Sequence, residues 1–502
     1  MVNHQGCATL AAAEQIAAEF DISAEDIQRI TRHFVAQLKD GLVNQRTWQL
    51  PAYVRSIPTG TETGQFLAVD LGGSNCRICL VELRGDSTFT MIQSKHSVPS
   101  HVMVNASYRP LFDFIAQNIA NFLDVNPGSY SLGFTFSFTC EQTSLAGGRL
   151  IRWDKGWDIP EALGRDPCVL LQDAIDRRGM PVQVTVLAND SVGTLLTRSY
   201  TSGPETSTLA AIIFGTGTNA AYVEKLSNVK KLSNVRRLGT WNEGIMVMNT
   251  EWGSLDDEMK VLPRTSFDDE LDEASIDPGS QMLEKRVSGL YLGELLRLAI
   301  RRLDQLGALD MTFTEKTCRD SIDSSFLSKL AASNTDSATL IQDTLSADNV
   351  SEDDAKAIQL VSKSIARRAA RLAGASLAAL IIQSGRLCKP SKSPSIGRFW
   401  RRVRLLWNKV LTFIGLWLGK PLSIQQQKAS QTYRENIDIA ADGSLIEFYP
   451  TFEAEIRAAI REVPEVGPAS EQRIRISLAK DGSGVGAALM AQAASTTAPL
   501  LK

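Results

Sequence analysis

One local unit occurs twice in this chain, and that repetition constrains the fold more than any other feature. From Gln65 to Val81 an apolar run ending Ala-Val-Asp70-Leu breaks at Gly72-Gly73 and resumes as Ser74-Asn-Cys-Arg-Ile-Cys-Leu-Val81. From Leu209 to Glu224, Leu-Ala-Ala-Ile-Ile-Phe214 breaks at Gly215-Thr-Gly217-Thr-Asn219 and resumes as Ala-Ala-Tyr-Val-Glu224. Apolar and β-branched residues on both sides of a glycine breaker spell strand, turn, strand. A hairpin made twice points to pseudo-symmetric α/β halves, and 502 residues leave room for two to four domains at about 150 residues each.

Composition removes several classes. Hydrophobic content of 43%, charged content of 22% and 35 glycines exclude a chain dominated by disorder, collagen repeats or coiled coil. Lys plus Arg (53) against Asp plus Glu (56) leaves a net charge of -3, so no global basic field exists to hold nucleic acid. Seven cysteines are scattered, and the amino terminus lacks a basic-then-apolar signal segment. This reads as reduced thiols in a cytoplasmic protein. Cys76-Arg-Ile-Cys79 has the CxxC spacing, but no second pair lies nearby and its neighbours are strand residues, so packing is the reading. The histidines at 4, 33, 96 and 101 form no HExxH pattern.

Ser23-Ala-Glu-Asp26 caps an opening helix whose apolar positions Ile27, Ile30, Phe34 and Leu38 share one face. Longer helical patterns run from Gln281 to Leu303 and from Asp354 to Ser384, the second stopped by Gly385. The near-duplicate Leu226-Ser-Asn-Val229 and Leu232-Ser-Asn-Val235 reads as a lengthened surface loop, not a solenoid. Residues 388–433 look inserted: within 397–420 Phe399, Val403, Leu406, Val410, Phe413 and Trp417 alternate at four and three, beside Arg398, Arg401, Arg402, Arg404 and Lys409. The apolar part is shorter than the ~20 residues of a membrane span. Such a helix can lie on a membrane surface, including the mitochondrial outer membrane, or in a partner's groove, or pack on this protein itself.

Two motifs mislead. Gly415-Leu-Trp-Leu-Gly419-Lys420-Pro421 has neither P-loop spacing nor the hydroxyl Mg²⁺ needs. Gly215-Thr-Gly217-Thr-Asn-Ala220 fits a relaxed dinucleotide fingerprint, but the residues after it read as strand, so no helix N-terminus faces a pyrophosphate. Instead, the glycine turns can aim backbone N–H groups and the Ser74, Asn75, Thr216 and Thr218 side chains at phosphate oxygens from two sides. Asp70, at the strand end before Gly72 and Gly73, is placed to hold Mg²⁺ through water.

Further motifs fall in order: Leu132-Gly-Phe-Thr-Phe-Ser137-Phe, Arg152-Trp-Asp-Lys155-Gly, Asn189-Asp190-Ser, Asn249-Thr-Glu251-Trp-Gly253, Pro278-Gly-Ser-Gln-Met-Leu-Glu284-Lys, Ser288-Gly-Leu-Tyr-Leu-Gly-Glu294, Ala441-Asp-Gly443-Ser444-Leu and Asp481-Gly482-Ser483-Gly484. With the two glycine turns they cover most of the chain, which closely resembles the eukaryotic hexokinases. The resemblance implies the actin-like ATPase fold (ribonuclease H-like), two α/β domains around a cleft. The small domain would take 66–190 plus 482–502, the large domain 14–65 plus 191–481. It also implies ATP-dependent phosphorylation of glucose, fructose or mannose at the 6-hydroxyl.

Carried over by position, the sugar ligands fall on Ser137, Lys155, Asn189, Asp190, Asn219, Glu251 and Glu284. Amides and carboxylates can pair every hydroxyl of a hexose. The resemblance makes Asp190 the base that takes the 6-hydroxyl proton, with Lys155 near the transferred group and Mg²⁺ bridging the phosphates. Adenine and phosphate contacts would fall on Ser74, Asn75, Arg77, Gly215, Thr216, Gly217, Gly443, Ser444, Gly482, Ser483 and Gly484.

The sequence departs from the family at Asp154 for Thr, Trp157 for Phe, Thr139 for Pro, Cys76 for an aromatic and Leu255 for Phe. Asp154 would compete with phosphate for Lys155. These departures leave an alternative open, a hexokinase-like regulatory or sugar-sensing protein with little turnover.

Overall fold

Ser23 caps the helix Ala24–Val43 as its spacing predicts: its hydroxyl accepts the Asp26 N–H at 3.1 Å while the Asp26 carboxylate accepts the Ser23 N–H. A computed structural model describes residues 4–153, 156–204, 206–232, 244–313, 321–332, 336–387 and 436–497. The segment 388–433, Asp154 and Lys155 therefore lie outside the described residues.

In chain order the first strands are β1 (Leu50–Pro51), β2 (Thr63–Leu71), β3 (Asn75–Arg84), β4 (Phe89–Ser97), β5 (Tyr130–Phe136), β6 (Cys140–Ser144), β7 (Gly147–Leu150) and β8 (Val182–Ala188). They continue as β9 (Thr208–Phe214), β10 (Thr218–Lys225), β11 (Ile245–Asn249), β12 (Thr312–Phe313), β13 (Ala347–Asp348), β14 (Ile437–Asp442) and β15 (Ile474–Leu478). One sheet runs β4-β3-β2-β5-β8, the other β1-β11-β10-β9-β14-β15. Both predicted hairpins are present, β2 with β3 and β9 with β10. In the first sheet three antiparallel strands, β4-β3-β2, lead into the parallel run β2-β5-β8, and in the second four, β1-β11-β10-β9, lead into the parallel run β9-β14-β15. The halves are thus pseudo-symmetric.

Each sheet has its own core. Leu67, Val69, Ile115 and Phe134 belong to the first, and Phe34, Ile212, Leu295 and Ile365 to the second. Between the sheets, helices Asp190–Ser202 and Gly482–Thr497 pack on each other. They touch through glycine: a Cβ on Gly486 would sit 2.1 Å from the Cα of Gly193.

Three expectations need correction. A helix, His4–Glu19, precedes the capped one and buries Ala13 and Ile16 in the second core. Alanine around much of its surface hides the apolar stripe, and the proposed large-domain start at 14 falls inside it. The pattern from Gln281 to Leu303 is two helices, Glu284–Val287 and Gly289–Gln305, separated at an extended Ser288. The break lets the N–H groups of Gly289 and Leu290 donate to the carbonyls of Gly215 and Thr216. Third, the described part of the tandem segment is no surface loop, because Leu226, Val229 and Leu232 are buried in the second core.

The long helix fits its prediction. Glu352–Ser384 starts at a Ser351–Asp354 capping box and ends at Gly385 with φ 68. Cys76 and Cys79 are buried, free strand thiols, and burial pushes the Cys79 thiol up to about 12. That agrees with packing.

Candidate active site

The parallel strands of both sheets end at one cleft, where open α/β sheets bind ligands. Asp70 lies near the end of β2, Ser137 follows β5, Asn189 and Asp190 follow β8, Thr216 and Gly217 follow β9, and Asp442 ends β14; all of them line the cleft. Ile213, Asn219, Glu251 and Glu284 line it too.

Asn189 caps the helix Asp190–Ser202, its Oδ1 accepting the Ser191 N–H at 3.0 Å and the Ser191 hydroxyl at 2.6 Å. The same oxygen accepts from Asn219 Nδ2 at 3.3 Å, and Asn219 Nδ2 also donates to Asn249 Oδ1 at 2.9 Å. Asn249 Nδ2 in turn donates to Glu251 Oε1 at 2.8 Å. The chain continues to Thr139, whose hydroxyl donates to Glu251 Oε2 at 3.4 Å. Glu284 Oε2 accepts the Thr218 N–H at 3.3 Å. The predicted sugar ligands outside Lys155 thus line one cleft, and Asn189, Asn219 and Glu251 are joined there by amide-to-amide and amide-to-carboxylate hydrogen bonds through Asn249. Glu251 has φ 47, a left-handed backbone that turns its side chain back into this network.

The two glycine turns close alike: Gly72 N–H donates to the Asn75 carbonyl and Gly215 N–H to the Gly217 carbonyl, each at 3.0 Å. A neighbouring cavity shares Asp70, Gly72, Gly73, Arg77 and Thr216 with the cleft and adds Ser74, Asn75, Gly215 and Ser444. Asp70, 5% exposed, faces Arg77 across the β2–β3 register. The Arg77 guanidinium and the Ser483 hydroxyl, at 2.7 Å, both donate to Asp70 Oδ2. Gly443, φ 111, backs the second turn, since a Cβ there would lie 2.3 Å from the Phe214 carbonyl. Ser483 alone of its motif lines the cleft. A Cβ on Gly482 would lie 2.7 Å from the Thr194 hydroxyl and one on Gly484 3.4 Å from the Cys79 sulfur.

Reading along the chain missed Asn249, Gln281, Asp442, Gln93 and Lys95, which bridge or line the two cavities. Lys95 reaches the site through β4, where it registers opposite Arg77; alternation from that arginine is the signal that could have found it.

Asp442 is pushed up to about 6, first by burial and then by the like charge of Asp190, against relief from the Gly443 N–H. A folded carboxylate pKa above its ordinary 3.8 makes folding bind a proton between those two values. Its stability contribution is therefore intact at low pH, declines as pH rises through that window, and its full cost stands above about 6. Asp442→Asn is expected to melt higher than the parent at pH about 7.5, with the gain vanishing near pH about 4. Thermal melts across that range check it, and a gain independent of pH would disprove the account.

Two family models, both described as hexokinase, match residues 12–200 and 209–493. The chain is 41% identical to the glucokinase of Aspergillus niger, with 97% of this chain and 98% of that protein covered. It is 34% identical to Glucokinase-1 of Saccharomyces cerevisiae, with 96% and 97% covered. Among solved structures, a hexokinase from Schistosoma mansoni complexed with glucose superposes with a TM-score of 0.79 at 29% identity, covering 97% of this chain and 99% of that one.

Proposed function

The chain belongs to the hexokinase family, and on that footing we propose the reaction it runs: transfer of the γ-phosphoryl group of ATP to the 6-hydroxyl of a hexose. One observation carries the reading. Asp190 lines a single cleft together with the amide and carboxylate network and with residues of both glycine turns.

A hexose in the network end finds acceptors in Glu251 and Glu284 and both donors and acceptors in Asn189 and Asn219. Its 6-hydroxyl then points toward Asp190, whose carboxylate takes the proton as the oxygen attacks the γ-phosphorus. The leaving ADP stays on the turns, where the backbone N–H groups, Thr216 and Arg77 hold phosphate oxygens. Lys155, outside the described residues, is assigned to the transferred group from its place in the motif.

The cleft is acidic: Asp70, Asp190, Glu251, Glu284 and Asp442 line it against Arg77 among the described residues. Triphosphate entering alone would be repelled, which supports a divalent cation arriving with it. Asp70 suits Mg²⁺ because it lines both cavities and its hydrogen bonds from Arg77 and Ser483 fall on one carboxylate oxygen, Oδ2. When bound, Mg²⁺ would neutralise charge building on the β- and γ-phosphates. Cys76, Cys79, Cys140 and Cys168 are free and buried, which supports a reducing, cytoplasmic setting.

Glucose is the first substrate to test, since two relatives are named glucokinases and the Schistosoma mansoni structure holds glucose. In an assay coupling ADP formation to NADH loss, with glucose, fructose and mannose, at least one sugar should support turnover of about 10 per second or more. No sugar-dependent ADP with any of them would end this reading.

A further inference from the structure

Trp157 stands where the family resemblance leads one to expect Phe, and its extra atom is used. The indole Nε1 donates to the backbone carbonyl of Gly73 at 2.7 Å, so the ring is tied to the first glycine turn. The ring is 2% exposed, stacks on Trp153 with centroids 5.6 Å apart and meets Phe138 edge-on at 5.1 Å. Phe138 lies between Ser137 and Thr139 at the sugar end of the cleft. Trp153 closes its own loop, donating from Nε1 to the Ile159 carbonyl at 2.8 Å. Trp157 is thereby joined at one edge to the sugar end through Phe138 and at the other to Gly73, which lines both cavities.

We infer that Trp157 is a positioning residue that couples the two substrate sites through its indole N–H: a hexose seated against Ser137–Thr139 bears through Phe138 on the indole, whose hydrogen bond holds the Gly72-Gly73 turn for phosphate. Phe in its place would keep the packing and lose the tie. The inference rests on the kinase reading above and deepens it.

The test measures the dissociation constant of Mg²⁺ with a non-hydrolysable ATP analogue, the β,γ-imido compound, with and without saturating glucose, in the parent, Trp157→Phe and Trp153→Phe. Coupling is the ratio of the two constants. Losing one buried hydrogen bond to a backbone carbonyl is worth about a three- to tenfold change in that ratio. Trp157→Phe should lose coupling by that factor and raise the KM for ATP comparably, with the glucose dissociation constant measured without nucleotide within about twofold of the parent. Trp153→Phe, which deletes an indole hydrogen bond inside the loop, should keep the coupling. Unchanged coupling in Trp157→Phe overturns the inference. So does an equal loss in Trp153→Phe, or a weakening of both ligands together with a lowered melting temperature, since either outcome means general loosening. A parent that phosphorylates glucose without coupling overturns it too and leaves the kinase reading standing. A parent with no hexose-dependent turnover instead defeats the reading beneath it.

Discussion

Asp190→Asn is expected to lower kcat by about a hundred- to ten-thousandfold, the usual contribution of a positioned general base, while the glucose dissociation constant stays within about threefold of the parent. The substitution is close to isosteric. Asp190 opens the helix Asp190–Ser202, and its Oδ1 accepts the Ser191 N–H at 2.7 Å, a bond the Asn carbonyl oxygen can also accept. Asn189 keeps capping the helix through its own Oδ1. What the amide cannot do is take a proton from the attacking hydroxyl, so the loss belongs to the transition state and not to ground-state binding. It also removes the charge that faces Asp442, which should lower the Asp442 pKa toward its ordinary value. Steady-state kinetics with glucose and calorimetric titration of glucose decide the matter. A kcat within about tenfold of the parent would remove Asp190 as the base, and an equal loss of sugar affinity would make it a binding group only.

How far the sequence reached depends on the range of the forces involved. The capping box at Ser23, the helix stop at Gly385 and the glycine-broken hairpins are set by neighbours a few residues apart, and their positions were legible. The break at Ser288 was not, because what separates the two helices is the demand of Gly215 and Thr216 carbonyls for N–H donors far away in the chain. The same holds within the site. Asn189, Asn219, Glu251 and Glu284 were found through motifs, whereas Asn249 joins them through the β10–β11 register that sets it opposite Ala221, two positions past Asn219. Asp442 is brought in by the parallel pairing of β14 with β9, opposite Ile213. Trp157 was visible only as an odd residue in a motif, and the Gly73 carbonyl that explains it lies 84 positions away.

Gly443→Ala should raise the KM for ATP at least about tenfold and lower kcat/KM for ATP about a hundredfold, with glucose binding in the absence of nucleotide near the parent value. Two costs combine at this position. At φ 111 an L-residue is strained, by about 1–3 kcal/mol. The new methyl would also lie 2.3 Å from the Phe214 carbonyl oxygen and 2.7 Å from Gly215 N. Those are backbone atoms, so relief requires moving the chain and not a side chain. The chain that must move is the second glycine turn, closed by the Gly215 N–H to Gly217 carbonyl bond and followed by the Gly289 and Leu290 N–H groups that hold its carbonyls. Phosphate contacts from this turn depend on the aim of its N–H groups, and displacement by about 1 Å can cost about a hundredfold in rate. The sugar end is spared because its network is carried by side-chain hydrogen bonds among Asn189, Asn219, Asn249 and Glu251. Gly467→Ala separates strain from collision: Gly467 also has positive φ, 67, but a Cβ there meets nothing within 4 Å. That variant should lose some stability and keep its KM for ATP. If Gly443→Ala binds ATP like the parent, or if Gly467→Ala weakens ATP equally, the contact between the two turns does not hold the phosphate site in place.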